Sequence, residues 1–365
     1  MARADLGRLR AELAREDRAI RRAIERRLRI ARRIGVAKRS QGLPVRNRRV
    51  EGEVLRRWRV GLVRLGIPRG RADQLGRWLV DEAVRVQESG PTVRHARPRR
   101  ILVVGGAGAI GRLLADRFRE SGHAVRVLDP AARGARSGRH PVVRDLVRSA
   151  VGADVVVVAT PMQKADAVYR SLWNSSTRAV VFDVYSVKAP VAPWIERGRR
   201  AGFRVTSVHP LFGPGTRPLA GEKVLVLECG DRRATAVAAS LFRPMGLRVT
   251  VLPLAAHDAL MADVQALPRL ASLAFSLALE RAGRTVRGLD RAATPSLRRQ
   301  VEVSRRVAAE DPDLSFGIQA LNPQTIPALR HLTESLAQLG TMIRSRDVVS
   351  FRRALARSRR ALSSE

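Results

Sequence analysis

Residues 99–129 read RRILVVGGAGAIGRLLADRFRESGHAVRVLD, and their reading decides the fold. Ile101 to Val104 form the short apolar run that a buried parallel strand needs. Directly after it, Gly106, Ala107, Gly108, Ala109, Ile110 and Gly111 complete a G-x-G-x-x-G, the glycine pattern of a dinucleotide-binding turn. In this reading Gly106 makes the tight turn, Gly108 lets a pyrophosphate approach the backbone, and Gly111 lets the following helix pack on the strand. That helix runs from Ala109 through Ile110 to Glu120, and the phosphates sit at its N-terminus. A second strand, Ala124 to Leu128, ends on Asp129, about twenty residues past the glycines, where a ribose-binding carboxylate belongs. Its charge repels a 2′-phosphate, so NAD is expected rather than NADP. Read alone, Asp129 also fits the first position of an Asp-Pro turn.

Strand and helix patterns keep alternating downstream. Strands are expected at Asp154–Ala159, Ala179–Asp183, Phe203–Val208, Lys223–Glu228 and Arg248–Leu252, a doubly wound α/β pattern. Ligands on such sheets bind beyond the carboxyl ends of the strands. Three segments fall there: Thr160-Pro161, then Tyr185-Ser186-Val187-Lys188, then His209-Pro210-Leu211-Phe212-Gly213-Pro214. By itself His209 is either a turn histidine or a base, and Lys188 either a surface lysine or a site residue. From His257 on the pattern turns helical, with stretches at His257–Arg281, Pro295–Glu310, Asp313–Ala320 and Thr325–Ser345.

Composition narrows the function classes. The net charge is +36, yet only four of the 69 basic residues are lysines (Lys38, Lys164, Lys188, Lys223), and the arginines are scattered through every expected helix. Salt-sensitive adhesion to polyanions follows from such a field, but no specific nucleic-acid partner is expected. No apolar run approaches the roughly 18 residues that span a bilayer, and the charged start lacks a signal peptide's apolar core, so a cytoplasmic protein without a membrane partner is expected. The single cysteine, Cys229, rules out an internal disulfide framework and a cysteine-cluster metal site, and no metal is expected.

Upstream of the strand, apolar residues recur at helical spacing from Ala4 to Lys38, namely Leu6, Leu9, Leu13, Ile20, Ile24, Leu28, Ala31 and Ile34. Gly42 and Pro44 break this helix; a second fits Asn47–Arg64, and Pro68 opens a third that ends near Glu88. Residues 1–88 are a thin helical domain expected to dimerise, 89–98 a linker, 99–252 the nucleotide-binding domain and 253–365 a helical domain. The segments LRAEL, ERRLRIARRIGVAK, GLPVRNRRVEGEVL and DEAVRVQES resemble the all-helical chorismate mutases, specifically those fused to prephenate dehydrogenase in bifunctional tyrosine-pathway enzymes. The resemblance implies that Arg10 and Arg27 bind substrate carboxylates, that Lys38 and Gln87 donate to the ether oxygen, and that Glu51 meets the hydroxyl. Independently, Arg27 and Lys38 lie 11 residues apart, about three turns, and share a helix face, whereas Arg10 falls on another. That suits the family's arrangement, in which the first arginine reaches into the partner subunit's site. Three positions depart from the family: Val50 for an arginine, Asn47 for an aspartate and Ala83 for a serine. A helix bundle that serves only assembly is the alternative.

The pairing of Asp183-x-x-Ser186-Val187-Lys188 with HPLFGP about twenty residues later resembles prephenate dehydrogenase. The resemblance implies that His209 accepts the ring hydroxyl proton as hydride leaves for NAD, that Ser186 hydrogen-bonds near the hydroxyl and histidine, and that Lys188 lies beside it. An imidazole titrating near ~6.5 suits such a base. The segments HDALMADVQALPRL and TPSLRRQVEVSRRVAAEDP resemble that family's helical dimerisation domain. There Arg298 and Arg306 align with arginines near the substrate, Arg306 being the better match for the one that grips a prephenate carboxylate. Arg269 stands where many relatives carry histidine, which keeps arogenate open as a substrate. The expectation is therefore an α/β chain with a mutase-like helical domain, a Rossmann domain and a helical dimerisation domain. It acts as a homodimer on chorismate and prephenate with NAD.

Overall fold

The computed structural model describes residues 2–40, 47–88, 97–216 and 221–363. The chain divides into two compact units, Met1–Val184 with Gly198–Val251, and Tyr185–Arg197 with Leu252–Glu365. One division falls between Val251 and Leu252, and the segment after the sixth strand, with Ser186 and Lys188, belongs to the helical unit.

The first unit begins with α1 (Ala2–Ser40), α2 (Arg48–Arg64) and α3 (Arg69–Glu88). Asn47 caps α2: its side chain accepts the Val50 N–H at 3.2 Å, and its own N–H donates to Glu51 Oε1 at 3.1 Å. A Cβ added at Gly35 of α1 would lie 2.7 Å from the Gln87 backbone, so the glycine permits the close approach of α1 and α3 that places Gln87. An ion pair from Arg59 to Asp73 at 2.6 Å ties α2 to α3. The expected break at Gly42 and Pro44, and linker residues 89–96, lie outside the described residues.

Next come, among the described residues, nine strands: β1 (Arg100–Val104), β2 (Ala124–Leu128), β3 (Arg136–Ser137), β4 (His140–Val143), β5 (Val155–Val158), β6 (Val180–Asp183), β7 (Arg204–Pro210), β8 (Lys223–Glu228) and β9 (Arg248–Pro253). They form one sheet in the order β3-β4-β2-β1-β5-β6-β7-β8-β9. From β4 to β7 every neighbouring pair is parallel. The reason is visible in the residues: β5 is Val-Val-Val-Val, buried at all four positions, as in a sheet covered on both faces. The helices between the strands are α4 (Ala109–Glu120), α5 (Leu146–Val151), α6 (Ala165–Trp173), α7 (Ala192–Arg200) and α8 (Arg232–Phe242), of which α4, α5 and α8 pack on the sheet. Phe118 of α4, Phe182 of β6 and Phe242 of α8 are completely buried and pack ring against ring, with centroids 5.8 and 6.1 Å apart.

Three features depart from the expected pattern. The β7–β8 pair is antiparallel, because the chain between Pro210 and Lys223 contains no crossover helix among the described residues. The short hairpin of β3 and β4 has too few residues to show a period in the sequence. His209 and Pro210 lie within β7 rather than in the loop after it, with His209 paired to Leu225 of β8.

The second unit carries α9 (Leu254–Met261), α10 (Leu267–Arg281), α11 (Val286–Leu289), α12 (Pro295–Ala308), α13 (Pro312–Leu321), α14 (Thr325–Arg344) and α15 (Val348–Leu362). The single helix expected over His257–Arg281 is interrupted by a wide π turn at Ala262–Ala266. Pro268 explains it, since proline has no N–H to donate and its ring crowds the carbonyl one turn back. Thr294, Asp311 and Asp347 cap α12, α13 and α15 through their side chains.

Candidate active sites

A cavity of about 520 Å³ opens among α1, α2 and α3. Arg27, Lys38, Glu51 and Gln87 line it, so the bundle brings together four of the five residues expected there. Arg10 is exposed on α1 and is not in that lining. Most of the remaining wall is apolar, from Ile30, Ala31, Ile34, Val54, Val80 and Val84. Arg27 donates to the carbonyl of Leu79, and burial lowers its pKa from the usual guanidinium value. Gln87 Nε2 donates to Ala83 O at 3.2 Å, one turn back on α3. The three departing residues, Asn47, Val50 and Ala83, all face the same cavity. An apolar wall with three cations (Arg26, Arg27, Lys38) and the polar Asn47, Glu51 and Gln87 suits a dianionic ring compound, and no side chain there needs to act as a nucleophile.

At the glycine-rich turn, backbone lies in place of side chains. Gly108 N–H donates to Gly105 O at 3.1 Å, so Gly106 lies inside the tight turn, and Gly105 before it takes the left-handed conformation with φ +84°. A side chain at Gly105 would come within 2.5 Å of Ala159 O, and one at Gly106 within 2.6 Å of Val127 of β2. Gly106 is thus needed for clearance between the turn and β2. The signal for Gly105 was present as the Gly-Gly doublet, since the six-residue pattern begins one position after it. Gly108 stands at the N-cap of α4 without a side chain over the helix end. A Cβ at Gly111 would lie 2.1 Å from Gly105 O, so α4 begins as close to the turn as backbone allows. The first turn of α4, Ala109-Ile110-Gly111, therefore presents its amides to this cradle. Asp129, at the end of β2, accepts the Ala107 N–H and the Ala131 N–H, both at 2.9 Å. One carboxylate thereby serves both the turn and the loop wall at the end of the second strand. Thr160 follows β5, next to the Ala159 carbonyl that crowds Gly105. These residues fit a dinucleotide: a cradle that any Cβ would fill, a helix N-terminus and a carboxylate.

His209 is 1% exposed, at the carboxyl end of β7. Two residues earlier, Ser207 Oγ donates to Asp183 Oδ2 at 2.8 Å, and Tyr169 Oη donates to the same oxygen at 2.9 Å. Asp183, Ser207 and Tyr169 are all buried and were not singled out in the sequence, although Asp183 opens the D-x-x-S-V-K segment. In the helical unit Ser186 is half-buried, while Lys188 is 1% exposed and so is not a surface lysine. Arg298 is exposed on α12, and Arg306 is paired with Glu302 one turn back at 2.6 Å. Arg269 Nε lies 3.1 and 3.0 Å from the two oxygens of Glu310, and the guanidinium also donates to Gln265 O in the π turn. Among the described residues no helix is long and apolar enough to cross a membrane.

Family models match the chain three times in order: chorismate mutase type II over residues 9–88, the nucleotide-binding domain of prephenate dehydrogenase over 114–249, and the dimerization domain of prephenate dehydrogenase over 254–357. A 4-amino-4-deoxyprephenate dehydrogenase from Streptomyces pristinaespiralis is 33% identical over 271 residues, covering 72% of this chain and 91% of that protein. The T-protein of Enterobacter agglomerans is 24% identical over 352 residues, covering 95% of this chain and 90% of its own. Among solved structures, prephenate dehydrogenase from A. aeolicus in complex with hydroxyphenyl propionate and NAD+ shares the fold, with a TM-score of 0.58 at 19% identity over 73% of this chain and 99% of that one. The chain therefore belongs to the prephenate dehydrogenase family, in the bifunctional form that carries a type II chorismate mutase domain ahead of the dehydrogenase.

Proposed function

We infer that residues 1–88 convert chorismate to prephenate and that the remainder oxidises prephenate with NAD to 4-hydroxyphenylpyruvate and carbon dioxide, within tyrosine biosynthesis. The observation that carries this reading is the meeting of Arg27, Lys38, Glu51 and Gln87 on one cavity, upstream of a glycine cradle built for a dinucleotide. In the cavity Arg27 holds a carboxylate, Lys38 and Gln87 donate to the ether oxygen as charge gathers there, and Glu51 receives the hydroxyl. Arg10 completes the site from a second copy. The pericyclic step needs only this orientation and these donors.

In the dehydrogenase half, bound NAD supplies the hydride acceptor. Asp129 holds the adenosine ribose, the Gly106–Gly111 turn and the Ala109–Ile110 amides hold the pyrophosphate, and Thr160 flanks the loop. His209 takes the hydroxyl proton, Ser186 orients that hydroxyl, and Lys188, Arg298 and Arg306 serve the carboxylates. Hydride loss turns the carbinol carbon into a ring ketone conjugated with both ring double bonds, and the ring carboxylate then leaves as carbon dioxide, its bonding electrons aromatising the ring to the phenol. The active form is a homodimer in the cytoplasm, without a specific nucleic-acid or membrane partner. Exposed apolar residues of the helical unit support dimerisation, among them Phe316 at 73%, Ile326 at 62% and Ile343 at 65% exposure.

A second substrate is favoured by one observation: the 33% identical Streptomyces relative is a 4-amino-4-deoxyprephenate dehydrogenase. That compound carries an amine where prephenate has its hydroxyl, and His209 would take a proton from nitrogen instead. The test is to supply chorismate with NAD and follow chorismate loss and NADH formation together, then repeat with prephenate, arogenate and 4-amino-4-deoxyprephenate. Coupled loss and formation are expected. Persistence of chorismate would make the bundle an assembly domain, and a higher kcat/KM for the amino compound would replace prephenate as the substrate.

A further inference from the structure

His257-Asp258 lies near the start of the helical unit, and the mechanism above does not use it. Its surroundings are unusually complete. The Asp258 carboxylate accepts the backbone N–H of Lys188 at 2.9 Å on Oδ1 and 3.2 Å on Oδ2, and that of Ala189 at 2.7 Å on Oδ2. His257 Nδ1 is 2.7 Å from Oδ1, and His257 is fully buried. Asn322, 4% exposed at the end of α13, donates to the Asp258 carbonyl at 2.9 Å. Burial of Asp258 pushes its pKa up, but the bonds from His257, Lys188 and Ala189 outweigh this and hold the group below the usual carboxylate range. An ionised acceptor makes His257 Nδ1 the donor.

The receiving segment is where the chain leaves β6 and turns toward α7. Lys188 O accepts the N–H groups of Val191 and Ala192 at 3.0 and 2.8 Å, so one residue is gripped on its amide by Asp258 and on its carbonyl by the turn. Two consecutive amides aimed at one carboxylate fix the backbone of Ser186-Val187-Lys188 against α9. A serine that must meet a substrate hydroxyl cannot sit on a loose loop, because ångström-scale misplacement of reacting groups costs rate.

We propose that Asp258 is a positioning residue for the dehydrogenase reaction: its carboxylate, oriented by His257, holds the Ser186–Lys188 segment in register with the substrate. This rests on the functional reading above. In the dimeric full chain, Asp258→Ala is expected to lower kcat for prephenate oxidation by about 10²-fold, the cost of an ångström-scale misplacement. The NAD Kd and the rate of chorismate loss are expected to stay close to the parent's, while the unfolding midpoint falls, because the Lys188 and Ala189 amides and His257 Nδ1 lose their acceptor. Asp258→Asn, which keeps the shape and one acceptor, should lose less. The decisive measurement is a double-mutant cycle with Ser186→Ala: because Asp258 acts through the segment, the double variant should be little worse than the worse single one. Unchanged kcat in Asp258→Ala, or fully additive losses in the double variant, would overturn the role. Failure of the parent chain to form NADH from prephenate would instead overturn the functional reading on which it rests. If Asp258→Ala does not fold, the cycle is run with Asp258→Asn, and the same outcomes decide.

Discussion

The nucleotide turn and the helical cavity are built on opposite plans. At the turn, the sequence requirement is that side chains be absent: Cβ atoms at Gly105, Gly106 and Gly111 would meet neighbours at 2.5, 2.6 and 2.1 Å. In the cavity, side chains projected from three helices line an apolar wall, where Val50 and Ala83 stand in place of the polar residues of related mutases. The first plan fails at a single methyl group. The second loses activity in increments.

The comparison is broken most directly at Gly111. Gly111→Ala places a methyl against the Gly105 carbonyl, which belongs to backbone and cannot retreat cheaply. The NAD Kd should rise by 10²-fold or more, at roughly 2–3 kcal/mol or above, while chorismate loss continues. Titration calorimetry with NAD checks this, and a Kd equal to the parent's would show that the turn is not the nucleotide site. Next in size is His209→Asn: kcat for prephenate oxidation should fall by roughly 10²-fold with NAD affinity kept. Steady-state kinetics that show unaltered turnover would remove His209 from the chemistry.

The side-chain plan is sharpened by repair. Val50→Arg restores a cation where related mutases carry one, and a charged hydrogen bond contributes about 1.5–3 kcal/mol. Chorismate kcat/KM should rise at least tenfold; no gain would mean that another residue already supplies the charge. The smallest effect concerns the pair between Arg100 and Asp154, with Nη2 to Oδ1 at 2.9 Å. The Arg100 side chain holds the Asp154 carboxyl below its usual range, against the opposing pull of burial. The folded state therefore binds this proton less readily than the unfolded chain. The contribution is complete above the unfolded pKa of about 4 and is lost as pH falls through the lower folded value. Asp154→Asn should cost under about 1 kcal/mol at neutral pH, since the pair is largely exposed, and part of the acid sensitivity should disappear with it. Urea titrations at pH 7 and pH 3 measure both.

How far the residues spoke for themselves follows the same division. The helix Ala109–Glu120 and the buried Val155–Val158 strand were legible because their periods are local and unmixed. The three-turn spacing of Arg27 and Lys38 placed both on one face of α1, and the cavity confirms it. The third member, Gln87, needed the crossing at Gly35, which no local period announces. Pro268 stood in plain view, yet its effect appears as a wide turn at Ala262–Ala266, because a continuing helix can absorb a missing donor by adding a residue to the turn.

What the amino-acid order determined alone is the kind of unit at each place: amphipathic helices, a glycine-rich turn, β-branched runs that bury on both faces. These depend on residues within a few positions of one another. Only tertiary structure decided that Gly105 rather than Gly106 takes the left-handed conformation, since that depends on where Ala159 and Val127 lie. It also decided that β8 runs antiparallel to β7, and that the amides of Lys188 and Ala189 close on Asp258, about seventy residues away in sequence. Each is a contact between distant parts of the chain, and steric clearance and hydrogen-bond satisfaction choose such contacts only after folding brings the parts together.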